Sequence, residues 1–384
     1  MIDVYALHNK LNERLEKAKS KVHTEPLEAM EIAKDIVIEA RANHLATVAG
    51  HAYHIQTMAC RTMGRQEDAF RYVGHAIDIF EQFNDYNMLA ELYRWQGVVY
   101  FYSGDYQKSL SIFNLGRSFA LKSQNHVELV RAQNCIGEVY RKAGDFDKAL
   151  GAYEEGNSYG KAYNVVEGIG HILSNMGDVY MSLGSYEVAM EKFKAAKTYF
   201  QTTADVLLEF EWYYRMGKLQ MKLGKYEEAQ SLIDASIAHL HSVKNEYYIL
   251  DALLLKYEIY MCQNDQEKAL QAVEEAEKIS KIQGSDHQLS RIYEKMYQFY
   301  ESKEMYKKAL EFHKRYQFTL QKIEASNILI KLKMLEKQQA SLDEEKRAPY
   351  VRDFIEGEMK IERQRIENLR DTIIQSRENI VSMN

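Results

Sequence analysis

The sequence predicts an all-α solenoid, a stack of helical hairpins of one size, on three observations. The first is a fixed interval. Gly137, Tyr140, Gly144, Asp145, Ala149 and Leu150 stand 40 residues after Gly97, Tyr100, Gly104, Asp105, Ser109 and Leu110, and 40 before Gly177, Tyr180, Gly184, Ser185, Ala189 and Met190. Such a period marks units that cannot bury their apolar face alone and do so by stacking on neighbours. The second is the scarcity of proline, 2 in 384 residues. With so few helix breakers, the chain reads as helical almost throughout. The third is composition: 46% hydrophobic and 28% charged residues is the balance of a globular chain with a core. A compact fold of this length suggests two or three domains, but a repeat array needs no such division, because each unit contacts only its neighbours.

Aligning on the turn of each hairpin puts Thr24, Gly64, Gly104, Gly144, Gly184, Gly224, Asn264 and Glu304 in one column. Glycine there takes the left-handed conformation that ends a helix. Asp105, Asp145, Ser185 and Asp265 follow it, placed to cap the next helix by accepting a backbone N–H. Pro26 suits a first helical turn, where no amide donor is needed. Five residues beyond the turn the column reads Ala29, Ala69, Ser109, Ala149, Ala189, Ala229, Ala269 and Ala309, which predicts two helices in close contact. A second small column runs Ala76, Gly116, Gly156, Ala196, Ser236 and Ala276. Tyr100, Tyr140, Tyr180, Tyr260 and Tyr300 supply bulk four residues before the turn. Small and large columns together predict a knob and a hole repeated along the stack. Longer connections, from one hairpin to the next, are expected near Asn84-Asp85, Gln124-Asn125, Tyr163-Asn164, Lys244-Asn245 and Gly284-Ser285-Asp286.

The pattern Gly-x-x-Tyr-x-x-x-Gly-Asp-Tyr/Phe-x-x-Ala-Leu-x-x-Tyr/Phe resembles the tetratricopeptide repeat (TPR), in the 40-residue form without a closing proline that occurs in bacterial signalling proteins. The resemblance covers residues 3–318 as about eight helix pairs. It is most specific in the middle four; the first pair lacks the turn Gly, and Tyr257 and Tyr297 replace the first Gly in the last two. It implies a right-handed superhelix over residues 1–318, whose concave face, lined by the first helix of each pair, binds a protein or peptide. Carried onto this chain, the family's contact slots hold His51, His54, Met58 and Arg61, then Glu91, Arg94, Val98 and Phe101, then Arg131, Asn134, Glu138 and Arg141. The next two pairs supply His171, Asn175, Asp178 and Met181, and Glu211, Tyr214, Arg215 and Lys218. The candidate ligand-binding set is Arg94, Arg131, Asn134, Glu138, Arg141, His171, Asn175, Tyr214, Arg215 and Lys218. Asn pairs with a peptide backbone through donor and acceptor, and Arg grips a carboxylate with two bonds. The carboxylate-clamp pattern of chaperone-binding family members is not reproduced, so that partner is not implied.

Residues 319–384 break the period and read as a C-terminal coiled coil or helical hairpin. Ala325, Ile328, Leu332, Leu335 and Leu342 fall at coiled-coil spacing. Ala348-Pro349 interrupts the helix, because the residue before a proline is pushed out of helical geometry. A second seam follows through Ile355, Met359, Ile366, Leu369, Ile373, Ile380 and Met383. Sustained heptads with flanking charges predict a homodimer through the tail; the alternative is one amphipathic helix folding back on its own chain.

The remaining observations narrow the function to binding rather than catalysis. No Gly-rich phosphate loop, nucleophile elbow or paired-carboxylate constellation stands in the sequence, so neither enzymatic activity nor a cofactor is expected. Cys60, Cys135 and Cys262 are far apart and odd in number, which suits a reducing compartment and no disulfide framework. His44, His51 and His54 share one helix region but lack the spacing of a zinc site, so no metal is expected. The net charge of -6, with basic residues interspersed among acids, argues against nucleic acid. No apolar run is long enough for a bilayer and no leader opens the chain, so a cytoplasmic location is expected. The reading is a cytoplasmic scaffold or sensor in bacterial signal transduction that binds a protein or peptide in its groove. Two alternatives are the sensory input region of a diguanylate cyclase or histidine kinase, whose reading frame would continue past Asn384, and a peptide-pheromone receptor.

Overall fold

The computed structural model describes residues 4–200, 206–242, 248–345 and 349–381. Among them lie seventeen helices: α1 (Val4–Lys21), α2 (Pro26–Ala42), α3 (Ala46–Thr62), α4 (Gln66–Gln82), α5 (Tyr86–Tyr102), α6 (Tyr106–Lys122), α7 (His126–Lys142), α8 (Phe146–Ala162), α9 (Ile169–Ser182), α10 (Tyr186–Phe200), α11 (Val206–Lys222), α12 (Tyr226–Ser242), α13 (Ile249–Cys262), α14 (Gln266–Gln283), α15 (Asp286–Ser302), α16 (Tyr306–Glu345) and α17 (Pro349–Val381). The fold is an all-α solenoid with a helical hairpin at its C-terminal end. Among the described residues no helix is long and apolar enough to cross a membrane.

The helices are cut to length by one repeated turn. Within hairpins, Gly64, Gly104, Gly144, Gly184, Gly224, Asn264 and Glu304 have positive φ. Between hairpins, His44, Asn84, Gln124, Asn164 and Gly284 do the same, so among the described residues from His44 to Glu304 a left-handed residue recurs at twenty-residue spacing. The amide that follows reaches back five residues, from Asp105 to the Tyr100 carbonyl, from Asn125 to Ala120 and from Asp145 to Tyr140. This is the closing bond of a Schellman motif. Asp105, Asp145 and Asp265 then accept the amides of Lys108, Lys148 and Lys268, and Asp85 and Asn125 accept those of Met88 and Glu128.

At Asn84, Gln124 and Gly284 the connection between hairpins is therefore not the longer link expected but the same turn. The link from Gln82 to Tyr86 matches that from Tyr102 to Tyr106, because Asp85 and Asn125 cap the next helix as Asp105 and Asp145 do. Among the described links between hairpins the α8–α9 link is the exception, and there the longer connection expected near Tyr163-Asn164 is found. It keeps the left-handed Asn164, but α9 starts only at Ile169, after Gly168 at φ 88. Lys244-Asn245 lies outside the described residues.

Two compact units divide the chain, Met1–Met63 with Asp68–Ala272, and Gly64–Glu67 with Val273–Asn384. In the first, α1 packs on α2 and α2 on α3, and from α5 through α12 each helix packs on the next, while Phe80 sets α4 against Gly50 of α3 and Leu89 and Leu92 of α5. The expected small column is buried: Ala29, Ala69, Ser109, Ala149, Ala189, Ala229 and Ala269 are all 0% exposed. Ser109, the one polar member, donates to the Gly97 carbonyl at 2.9 Å. The knobs and holes are not the ones the tyrosine column suggested. The holes are Gly97, Gly137, Gly177 and Gly217, and the knobs stand sixteen residues later at Phe113, Tyr153, Phe193 and Ile233. A Cβ built on Gly97 or Gly177 would sit 2.5 Å from a ring carbon of Phe113 or Phe193. Where Thr57 or Tyr257 occupies the hole position, the residue sixteen later shrinks to Val73 or Val273. The tyrosine column instead lies at the helix end, with Tyr100 and Tyr260 buried and Tyr140 and Tyr180 half-buried.

In the second unit α15 packs on the first part of α16, with Tyr300 stacked on Phe312 at 5.4 Å. Helix α16 then runs on unbroken to Glu345, and α17, opening at Pro349, packs antiparallel against it. Ile328, Leu332, Leu335, Met359 and Ile366 are buried, and ion pairs Arg365–Glu324, Lys331–Glu362 and Arg363–Glu336 flank them. The two seams read in the tail thus meet within one chain. Leu369, Ile373 and Ile380 are half-buried. The side chains of Leu342 and Ile355, and all of Ala348 and Met383, lie outside what is described.

The interlock makes opposite predictions for one substitution at two helical positions. Gly137→Ala drives a methyl into the Tyr153 ring and is expected to destabilise by about 1–3 kcal/mol. Gly151→Ala meets nothing within 4 Å and is expected to stabilise by about 0.5–1 kcal/mol. Urea melts of the two variants check the signs.

Candidate ligand-binding groove

Helices α3, α5, α7, α9 and α11, the first of successive hairpins, line an open cavity of about 1030 Å³ in the first unit. Helical periodicity brings one face of each to it. Trp95, Val98, Phe101 and Tyr102 come from α5, and Tyr199, Phe200 and Leu208 give an apolar wall further along. The late start of α9 adds backbone: Val166, Glu167 and Gly168 border the cavity where a regular helix would have placed its first turn.

The polar residues of the groove hold one another across hairpin boundaries. Arg94 on α5 donates to both carboxylate oxygens of Glu128 on α7, at 2.7 and 3.4 Å, and Arg131 shares the same carboxylate at 2.8 Å. Arg215 on α11 donates to Glu211 at 2.6 Å, to Asn175 Oδ1 at 3.0 Å and to Asp178 at 3.2 Å. Asn175 Nδ2 in turn donates to Asn134 Oδ1 at 2.9 Å. A guanidinium only donates, so Arg215 fixes both amides: Asn175 must offer it oxygen, and Asn134 must offer Asn175 oxygen. That leaves the Asn134 Nδ2 donors for the cavity. Glu138 is gripped side-on by Arg141 and accepts the Tyr153 hydroxyl at 2.7 Å.

These pairings keep the groove ionised. Burial pushes the Glu128 carboxyl up, but Arg94 and Arg131 outweigh it and hold it below the usual carboxylate range. Burial likewise opposes ionisation of Glu211, and Arg215 and His171 hold it well below its ordinary value. Cys135, on the cavity wall, goes the other way: burial pushes its thiol up to about 11, so it stays a neutral thiol rather than a nucleophile.

Of the ten candidate residues, Arg94, Arg131, Asn134, Glu138, His171, Asn175 and Arg215 line this one cavity. Arg141, Tyr214 and Lys218 lie outside its lining. Arg61 and Trp95, absent from that set, do line it; the guanidinium of Arg61 lies 5.1 Å from the Trp95 ring, with Arg94 at 4.9 Å. Glu128, which organises Arg94 and Arg131, was also missed, because it falls in the first turn of α7, away from the family's contact slots. The three histidines do not gather: His44 forms a left-handed turn, His51 packs on Phe80, and His54 is buried with its Nε2 3.6 Å from Glu91.

The sequence model of the tetratricopeptide repeat matches residues 211–238 and 287–312. No curated protein matches the chain. Among solved structures, a Rap protein complexed with Competence and Sporulation Factor is similar over 96% of this chain and 99% of its own, with a TM-score of 0.59 and 12% identity. The Rap conjugation gene regulator of the plasmid pLS20, in complex with the Phr* peptide, is similar over 82% of this chain and 96% of its own, with a TM-score of 0.60 and 14% identity. The apo form of the quorum sensor NprR from B. thuringiensis is similar over 81% of this chain and 86% of its own, at 0.53 and 16%. At these identities the likeness is one of fold.

The Arg94–Glu128 pair, with side chains 10% and 4% exposed, tests how much of the groove is scaffold. Glu128→Leu strands a buried guanidinium and is expected to cost about 3–5 kcal/mol, while Arg94→Met with Glu128→Leu recovers most of it. Denaturant melts of the single and double variants measure the difference.

Proposed function

We propose that this chain, a tetratricopeptide-repeat protein, is a non-catalytic scaffold or sensor in bacterial signalling that holds an extended peptide along the groove of its first unit. The observation that carries this reading is the cavity built by five successive first helices, apolar along Trp95, Phe101 and Phe200 and polar at Asn134, His171 and Arg131. Packed helices lie about 8–10 Å apart and an extended strand rises about 3.3 Å per residue, so each hairpin advances the groove by about three peptide residues. Asn134 Nδ2 supplies a donor for a peptide carbonyl, and the aromatic wall takes apolar side chains. Two of the solved structures of similar fold hold a signalling factor or peptide, which supports the reading. A cytoplasmic location belongs to the same proposal.

Short synthetic peptides from the native host's secreted repertoire test it by thermal shift. A true ligand at about 100 times its dissociation constant adds about 2.7 kcal/mol to stability, and Asn134→Ala is expected to shrink that gain. No shift from any peptide overturns the groove reading.

The proposal extends to a second copy paired through the tail, which the heptad spacing of residues 319–384 suggested. Light scattering on the full chain decides it: twice the chain mass supports the dimer, and the mass of one chain overturns it.

A further inference from the structure

We propose that the end of the groove between α3 and α7 is a carboxylate subsite. Arg61 grips the carboxylate and the Trp95 indole N–H is a second donor. The guest places there an Asp or Glu side chain or its own C-terminus. This rests on the groove being a peptide site and gives that site its chemistry.

The other guanidiniums of the groove are already spent. Arg94 and Arg131 share Glu128, and Arg215 is held by Glu211 and Asp178. Among the described residues Arg61 has no carboxylate partner, and its Nε is shielded from solvent with no hydrogen bond. A guanidinium cannot shed its charge, and burying a donor that nothing accepts costs free energy. The stack on Trp95 satisfies the ring face but neither the Nε–H nor the charge. Trp95 repeats the pattern: its Nε1–H is buried without an acceptor, and indole nitrogen is a donor only.

The two residues that carry these orphaned donors border one cavity, with the Arg61 guanidinium carbon 5.1 Å from the centre of the Trp95 ring. The local charge agrees. Arg94 and Arg131 pair with Glu91 and Glu128 and Arg141 with Glu138, so that with Arg61 four cations stand against three anions and one carboxylate evens the count. Val98 and the neutral thiol of Cys135 complete the wall, and an apolar flank strengthens a charged hydrogen bond.

The test uses the indole resonances of the full chain. The sequence holds two tryptophans, and Trp212 donates to the Phe193 carbonyl at 3.1 Å, so its signal is an internal reference. Succinate titrated against chloride at matched ionic strength is expected to move the Trp95 indole signal saturably and leave Trp212 in place. Arg61→Gln should weaken this by about tenfold or more, the loss of a charged hydrogen bond. Arg61→Lys, which keeps the charge but not the side-on fork, should fall between. A Trp95 signal that ignores succinate, or that moves equally in Arg61→Gln with an unchanged Trp212 signal, overturns the subsite.

A second arm separates the sources of the carboxylate. Three pools of short peptides are compared: free C-terminus without Asp or Glu, amidated with Asp or Glu, and amidated without either. Binding of the first assigns the C-terminus and of the second a side chain. Equal binding of the third overturns the proposal. A Trp95 shift with succinate and no binding from any pool keeps the subsite and removes the peptide reading.

Discussion

At Gly97, Gly137, Gly177 and Gly217 a side chain is missing from the inner helix, and the space is filled by Phe113, Tyr153, Phe193 or Ile233 from the outer one. The rest of the structure depends on that exchange. It fixes how closely the two helices of a hairpin approach, and the buried alanine column five residues past each turn closes the same contact from the other end. Neither half works without the other: a ring without its glycine clashes, and a glycine without its ring leaves a void that costs stability in proportion to its volume.

The groove obeys a different economy. Its arginines look like ligand grips when taken one at a time, yet Arg94 and Arg215 are stapled to carboxylates on neighbouring hairpins. A buried ion pair of this kind contributes little net stability compared with an apolar pair, but breaking one half is expensive. The same residues thus hold the hairpins in register and line the surface offered to a guest. Asn134 Nδ2 and the donors of Arg61 and Trp95 are among the polar groups of the lining that those pairings leave over.

The sequence carries the repeat plainly because its columns are one residue deep: Ala149, Ala189 and Ala229 need only be small. The constant glycine at Gly137 is visible, but the columns point to the small residues around Ala149 and Gly156 as holes and to Tyr140 as a knob, not to Gly137 and Tyr153. The true partner sits on the other helix, and a column says what is constant without saying what it touches. The connections at Asn84 and Gln124 were misjudged for a related reason. Asn84 and Gln124 are not glycine, so nothing marked them as left-handed turns, although Asp85 and Asn125 carry the same capping chemistry as Asp105 and Asp145. In the groove, the family slots located Arg94 and Asn175. They could not show that Glu128 answers one and Arg215 the other, because those partners lie a whole hairpin away in the chain. The tail seams were legible as apolar spacing, and their meeting across α16 and α17 required the fold.

The twenty-residue turn has a last implication. Where the link between hairpins repeats the turn within them, as at Asn84 and Gln124, the main chain carries no mark of where a unit begins. Whether a helix faces inward or outward is written only in its side chains: a vacancy on one, a ring on the next. At those links parity is a property of packing alone, imposed on a backbone that is indifferent to it.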